Sequence, residues 1–239
     1  MSLVIPAKNE ARNLPRVLTD IPKVVGEVIL VDGLSTDVTH MVATEHRPDI
    51  RIVHERKPGK GNALRAGFAA ATGDIIVAMD ADGSMMSEEI PRLLYFLTHG
   101  YDFVKGSRFI SGGSSLDITP VRKLGNSMLC SLANAFFETQ FTDLCYGFFA
   151  FHRKFLPHLA LTSQGFEIET EITVRAAKIG LRMAETPSIE MPRFSGSSNL
   201  NAFRDGIRVL RALFHERRPA FADRGPTLPE TDGPVGQHA

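Results

Sequence analysis

Ile75-Ile76-Val77-Ala78-Met79-Asp80-Ala81-Asp82 decides the fold of this 239-residue chain. Five apolar residues follow the turn Thr72-Gly73-Asp74, and two carboxylates flanking an alanine end the run. A short, uninterrupted, β-branched run of this kind predicts a strand buried on both faces, as in a parallel sheet. Ligands of open α/β sheets sit beyond the carboxyl ends of the strands. Two hard oxygen donors at such an end suit Mg²⁺ or Mn²⁺ carrying a diphosphate, because these ions bind through a few carboxylates plus substrate phosphates. Acidic residues also end many strands that hold no metal, so the flanking sequence has to decide.

Upstream, Leu3-Val4-Ile5 reads as a strand ending at Pro6, Val28 to Val31 as one ending at Asp32-Gly33, and Ile50 to Val53 as a third. Helical stretches separate them: Asn9 to Leu18, Val38 to about Glu45 behind the capping residues Ser35-Thr36-Asp37, and Asn62 to Ala71. A basic, flexible turn, Lys57-Pro58-Gly59-Lys60-Gly61, precedes the last of these. This alternation predicts an α/β fold, a mostly parallel central sheet flanked by helices.

Downstream the pattern is less regular. A helix from Pro91 to Thr98 precedes a strand from Asp102 to Arg108, and Ser111-Gly112-Gly113-Ser114-Ser115 is expected to form a mobile lid. Val121 to Phe141 reads as a largely apolar helix, Phe148 to Phe151 as a buried strand, and Thr170 to Ile179 as an amphipathic helix. Pro219, Pro226, Pro229 and Pro234 stud a polar tail over residues 217–239 that is expected to be disordered. Residues 1–216 are accordingly expected to form one domain.

Composition excludes several classes. Lys and Arg total 27 against 27 Asp and Glu, so no bulk positive charge recommends nucleic acid as a partner. No G-x-G-x-x-G follows the first strand and no G-x-x-x-x-G-K-[ST] is present, which removes dinucleotide-binding and P-loop readings. Cys130 and Cys145 sit among apolar neighbours and read as inert, reduced thiols of a cytoplasmic protein. No apolar stretch reaches the length of a membrane span, so contact with a membrane would be peripheral. His99, His152 and His158 are scattered without the spacing of metal ligands.

The acidic strand ends are expected to share one edge of the sheet: Glu10 after the first strand, Asp32 after the second, Asp80 and Asp82 after the fourth. A nucleotide can lie across that edge, its base and ribose near Glu10 and Asp32 and its diphosphate on a metal at Asp82.

The ordered segments IPAKNE (5–10), VDGLSTDVT (31–39), KPGKGNALRAGF (57–68), GDIIVAMDADG (73–83) and KGSRF (105–109) resemble the family 2 glycosyltransferases with the GT-A fold. DLCYGFFAF (143–151), GFEIETEI (165–172) and PRFSGSSNL (192–200) extend the resemblance to nearly everything but the tail, and point to the polyprenyl-phosphate (dolichol-phosphate) mannose synthase branch. The resemblance implies a Rossmann-like single domain whose residues 1–110 bind the nucleotide sugar and whose residues 111–216 bind the acceptor. It places Pro6, Glu10 and Asp32 on the nucleoside, and Asp80 and Asp82 as the D-x-D metal ligands, with Asp82 the direct one and catalytic. Ser84 stands where that branch often has a metal-binding glutamine. Arg108 and Arg193 fall where the branch sets catalytic arginines on phosphate groups, with Arg122 at the start of an interfacial helix and Lys60 as a further phosphate contact. Guanidinium groups suit that task because they are forked and permanently charged. Lys8 replaces an aromatic residue common in the first loop, and Ser198-Asn199-Leu200 replaces a family S-K-L.

The implied activity is inverting, metal-dependent transfer of a hexose to polyprenyl phosphate at the cytoplasmic face of the membrane, from GDP-mannose first and UDP-glucose second. A lipid phosphate is already ionised and needs no base; a soluble hydroxyl acceptor needs one. Among Glu167, Glu169 and Glu171, Glu169 is the candidate base, although an acidic first turn of a helix accounts for all three equally well. A non-catalytic nucleotide-sugar binder is the third possibility. For the lipid, Met128 to Phe141 beside Gly112-Gly113 is the candidate dock, against ordinary core packing. The sequence leaves the oligomeric state open.

Overall fold

The computed structural model describes residues 1–196 and 201–217. In chain order these form β1 (Ser2–Ala7), α1 (Leu14–Thr19), β2 (Glu27–Asp32), α2 (Thr39–His46), β3 (Arg51–His54), α3 (Lys60–Ala70), β4 (Ile75–Ala78), α4 (Ile90–Thr98), β5 (Phe103–Ser107) and β6 (Ser114–Ser115). There follow α5 (Pro120–Phe137), β7 (Phe149–His152), α6 (Leu156–Leu159), α7 (Ile168–Lys178), β8 (Met183–Pro187), β9 (Ile189–Glu190) and α8 (Ala202–Glu216).

The main sheet runs β3-β2-β1-β4-β7-β5-β8, parallel throughout except for β7, which is antiparallel to both of its neighbours. Period-two alternation sorts its side chains between two cores. Leu3 and Ile5 of β1, with Val77 of β4, pack under α1, α2 and α4. Val4, Ile76 and Ala78 pack under α3, α6 and α7, where the Phe68 and Phe151 rings meet edge-on at 5.5 Å. Both faces are covered, which is why the strands read as unbroken apolar runs. A third cluster joins Cys130 and Ala133 of α5 to Val174 of α7 and Leu213 of α8.

Gly67 lets α3 lie flat on the sheet. A Cβ there would sit 2.3 Å from Val4 Cγ1 and 2.8 Å from Val31 Cγ2. Overpacking a core costs about 1–3 kcal/mol and the better helix propensity of alanine returns at most about 1 kcal/mol. Gly67→Ala is therefore expected to lower stability by roughly 1–2 kcal/mol in urea denaturation, by the same balance.

Several expectations need correction. The first helix starts at Leu14, not Asn9, because Asn9 takes a left-handed conformation (φ 59°) whose side chain and backbone bind the loop at Ser35 and Thr36. The Ser111–Ser115 segment is not a free lid: β6 pairs with β9, with Ser114 N–H on the Ser188 carbonyl at 3.0 Å and Leu116 N–H on that of Glu190 at 2.9 Å. The basic turn before α3 is likewise tied down, Gly61 N–H donating to the Gln164 carbonyl at 2.9 Å. The helix expected from Val121 to Phe141 stops at Phe137, turned by Glu138 in the left-handed region. Within the proposed lipid dock Cys130, Ala133 and Phe141 are core residues, leaving Met128 as the large exposed one. Nor is α7 amphipathic: Ile168 to Ala176 are all buried, charged residues included. The tail beyond 217 and the Ser198-Asn199-Leu200 segment lie outside the described residues.

Candidate active site

Parallel register brings the acidic strand ends together. Ala7 pairs with Asp32 and Val4 with Ala78, so the loops after β1, β2 and β4 open on the same edge. Glu10 is 6% exposed. Its backbone N–H donates to Thr39 Oγ1 at 2.9 Å, and its carboxylate accepts from Asn13 and from Arg193. Burial raises the Glu10 pKa, against the pull of Asn13 and Arg193. Asp32 accepts the Ser35 N–H at 3.0 Å and faces His54 Nδ1 at 3.5 Å. Pro6 lines the same cleft as Glu10.

Asp80 and Asp82 follow β4, and each meets a cation: Lys60 from the preceding helix for Asp80, and Arg193 from far along the chain for Asp82. Asp82 accepts the Ser84 N–H at 3.0 Å and Arg193 Nη1 at 3.1 Å, so Arg193 spans from Asp82 to Glu10. Asp80 Oδ1 lies 2.5 Å from Lys60 Nζ, and Glu169 Oε1 lies 2.5 Å from the same ammonium. Burial pushes the Asp80 carboxyl up to about 6, Lys60 opposing the rise and Glu169 and Asp82 adding to it. For Lys60, burial works against the charge but the two carboxylates outweigh it and raise its pKa. Lys60 is in the first turn of α3 and Glu169 in the first turn of α7; the Gln164 carbonyl bonded to α3 holds the two helix starts together. Gly147 makes room: a Cβ there would come within 2.5 Å of Glu169 Oε1 and 2.9 Å of Lys60 Nζ.

Arg108 is placed differently from its expected position on a phosphate. It is 4% exposed, and its Nε and Nη2 grip Asp143 at 2.7 and 3.0 Å while Nη1 reaches both Glu190 oxygens at 3.1 Å. The guanidinium carbon also lies 4.8 Å from the centre of the Tyr146 ring. Burial opposes its charge, yet Asp143 and Glu190 raise its pKa. Arg122 borders the cleft and faces Asp117 at 3.8 Å.

These groups line one cleft of about 420 Å³. Pro6, Glu10, Lys60, Asp80, Asp82, Ser84, Arg108, Arg122, Glu169 and Arg193 all line it, whereas Asp32, next to the lining residue Gly33, and the alternative bases Glu167 and Glu171 do not. Sequence reasoning missed Glu190, Tyr146, Arg204 and Arg208, which also line it. The two α8 arginines had a readable signal, basic residues four apart beside an apolar stripe. Glu190 had none, since only the fold brings it to Arg108.

The donor chemistry fits a divalent cation. Asp80 and Asp82 offer hard oxygens, with Ser84 beside Asp82. Among the described residues no group of three or more His, Cys, Asp or Glu forms a ligand cage. Mg²⁺ and Mn²⁺ held by one or two carboxylates plus substrate phosphates need no such cage.

Comparison with known proteins places this architecture. The solved glucosyl-3-phosphoglycerate synthase of Mycobacterium tuberculosis, in complex with Mn²⁺, UDP and phosphoglyceric acid, superposes with a TM-score of 0.72 at 23% identity, over 90% of this chain and 78% of that one. That likeness identifies the fold as GT-A. The glycosyltransferase AglJ of Haloferax volcanii is 32% identical over 90% of this chain and 71% of its own length. The undecaprenyl-phosphate mannosyltransferase of Micrococcus luteus is 31% identical over 83% of this chain and 86% of its own. The family model described as glycosyl transferase family 2 matches residues 2–159, and the chain belongs to that family.

Proposed function

We propose that the protein transfers a hexose from a nucleoside diphosphate donor to polyprenyl phosphate, with inversion at the anomeric carbon and with Mg²⁺ or Mn²⁺ as cofactor. GDP-mannose is the first donor to test and UDP-glucose the second. The observation that carries this reading is the carboxylate pair Asp80 and Asp82 at the end of β4, with Asp82 bridged through Arg193 to Glu10 across the cleft. The Micrococcus luteus relative, named for undecaprenyl phosphate and mannose, supports the choice of acceptor and sugar.

Roles follow from placement. Pro6, Glu10 and Asp32 take the nucleoside, and Asp80 and Asp82, with Ser84 adjacent, hold the metal. When bound, the metal offsets the charge that develops on the leaving diphosphate. Arg193, now shared by two carboxylates, is the cation that a diphosphate would draw onto itself. An oxygen of the acceptor phosphate forms the bond to the anomeric carbon as the bond from that carbon to the diphosphate breaks, the electron pair leaving with the nucleoside diphosphate. Arg122 serves the acceptor end. Arg108 acts through Asp143 and Glu190 as a positioning residue for the cleft floor, and Lys60 holds Asp80 and Glu169 at fixed separation. On this reading the protein works through peripheral contact at the inner face of the membrane. No helix among the described residues is long and apolar enough to cross one.

The position of Glu169, in the cleft wall and one ammonium away from Asp80, favours a hydroxyl acceptor as the second reading. Labelled donor, Mg²⁺ or Mn²⁺ and polyprenyl phosphate separate the two. Label is expected to enter an organic-extractable lipid; donor binding without lipid labelling would sink the lipid acceptor. Loss of transfer to a hydroxyl acceptor in Glu169→Gln, with donor binding kept, would establish the second reading. Saturable donor binding without any turnover would leave a non-catalytic binder.

A further inference from the structure

Helix α8 carries three parallel stripes. Asp205, Val209, Leu213 and Glu216 are buried against the domain. Phe203, Leu210 and Phe214, spaced so as to share one helix face, are 80%, 37% and 50% exposed. Between these stripes run Arg204, Arg208 and Arg211. Arg204 and Arg208 border the cleft, and both turn to a single oxygen, Asp205 Oδ1, at 3.5 and 3.3 Å. The other Asp205 oxygen is taken by the Asn201 N–H at 2.8 Å. One buried carboxylate oxygen at those distances orients two guanidinium groups without using up the five donors each carries.

The neighbouring helix repeats the arrangement. Val121, Leu124 and Met128 make an exposed apolar stripe along the first half of α5, beside Arg122 at the same cleft. The two helices meet where the Phe136 ring stacks edge-on against Phe214 at 5.3 Å. Cations at the cleft and apolar ridges outside it match one kind of molecule, an amphiphile with an anionic head and a hydrocarbon chain.

We infer that α8 is the acceptor-docking element: Arg204 and Arg208, with Arg122, receive the acceptor phosphate, and Phe203, Leu210 and Phe214 receive the hydrocarbon chain that carries it. This rests on the lipid-phosphate reading above. It assigns to α8 the choice of a lipid-borne phosphate over a soluble one, by coupling an ionic contact to an apolar one.

The test uses the full chain, donor and metal, with two acceptors: polyprenyl phosphate in phosphatidylcholine vesicles and a short, water-soluble prenyl phosphate. Arg204→Gln/Arg208→Gln is expected to raise KM for both acceptors at least about tenfold, since two charge-assisted contacts to phosphate are lost. Its KM for the donor is expected to be unchanged. Phe203→Ser/Phe214→Ser is expected to raise KM for the long-chain acceptor alone and to weaken co-sedimentation with polyprenyl-phosphate vesicles. Unchanged acceptor KM in the arginine variant overturns the assignment. So does a serine variant that alters only the oligomeric state in gel filtration, which would make the stripe a contact between copies of this chain. If the wild type binds donor but transfers nothing to either acceptor, the proposed function falls; vesicle co-sedimentation, which needs no turnover, then judges α8 by itself.

Discussion

An Asp82→Asn enzyme is expected to fold as the wild type does and to transfer sugar about a thousandfold more slowly, the rate equivalent of about 4 kcal/mol. The amide keeps the shape of the side chain and an oxygen to accept the Ser84 N–H, so the turn after β4 survives. What disappears is the charge that would hold a divalent cation and that now engages Arg193. Metal stabilisation of a leaving diphosphate contributes several kcal/mol to the barrier, and each 1.36 kcal/mol is about a factor of ten in rate. Initial rates with saturating donor, read beside a thermal melt, separate the two effects. A rate within about tenfold of wild type would remove Asp82 from the metal site, since ligand loss costs more than that.

Replacing Asp143 with alanine has the largest expected effect on stability. Asp143 is fully buried and accepts three hydrogen bonds from Arg108, from the backbone N–H, Nε and Nη2. Without it a guanidinium that is itself 4% exposed keeps only Glu190. Removing one partner of a buried pair costs about 3–5 kcal/mol, against a total of about 5–15 kcal/mol for a whole domain. The urea midpoint of Asp143→Ala is expected to fall accordingly, and Arg108→Met in the same chain is expected to recover part of the loss, because the stranded guanidinium is removed while Glu190 keeps the Ser115 hydroxyl. Equal stability of the single and double variants would show that the stranded guanidinium is not the source of the loss.

The sheet was legible because β1, β2 and β4 are covered on both faces, so their apolar runs are unbroken by any polar position. The acidic edge was legible for a related reason: a parallel sheet sends every strand to the same side, and local sequence marks where each strand stops. Long-range pairing was not legible. Lys60 and Glu169 are 109 residues apart, and Arg108 and Glu190 are 82 apart. Family resemblance supplies a residue type at a position and says nothing of the neighbours that have already claimed its charge. In α7 periodicity misled for the same cause. Glu171 and Arg175 look like a solvated face, yet they pair with each other at 2.8 Å, and Arg175 also pairs with Glu216 of α8, so they are buried. The Gly-rich segment at Ser111–Ser115 reads as mobile only until β9, more than seventy residues on, is known to pair with it.

The place of β7 between β4 and β5 has a consequence during synthesis. Strands β3, β2, β1 and β4 can pair as soon as residue 78 has left the ribosome, but the outer edge of β4 is completed by residues 149–152. At about 5–20 residues per second the nascent chain carries that open, apolar edge for several seconds. An unpaired edge of this kind is a template for pairing with other chains. The aromatic strand that joins the two halves of the sheet therefore also ends the period in which a half-made molecule invites aggregation or a chaperone.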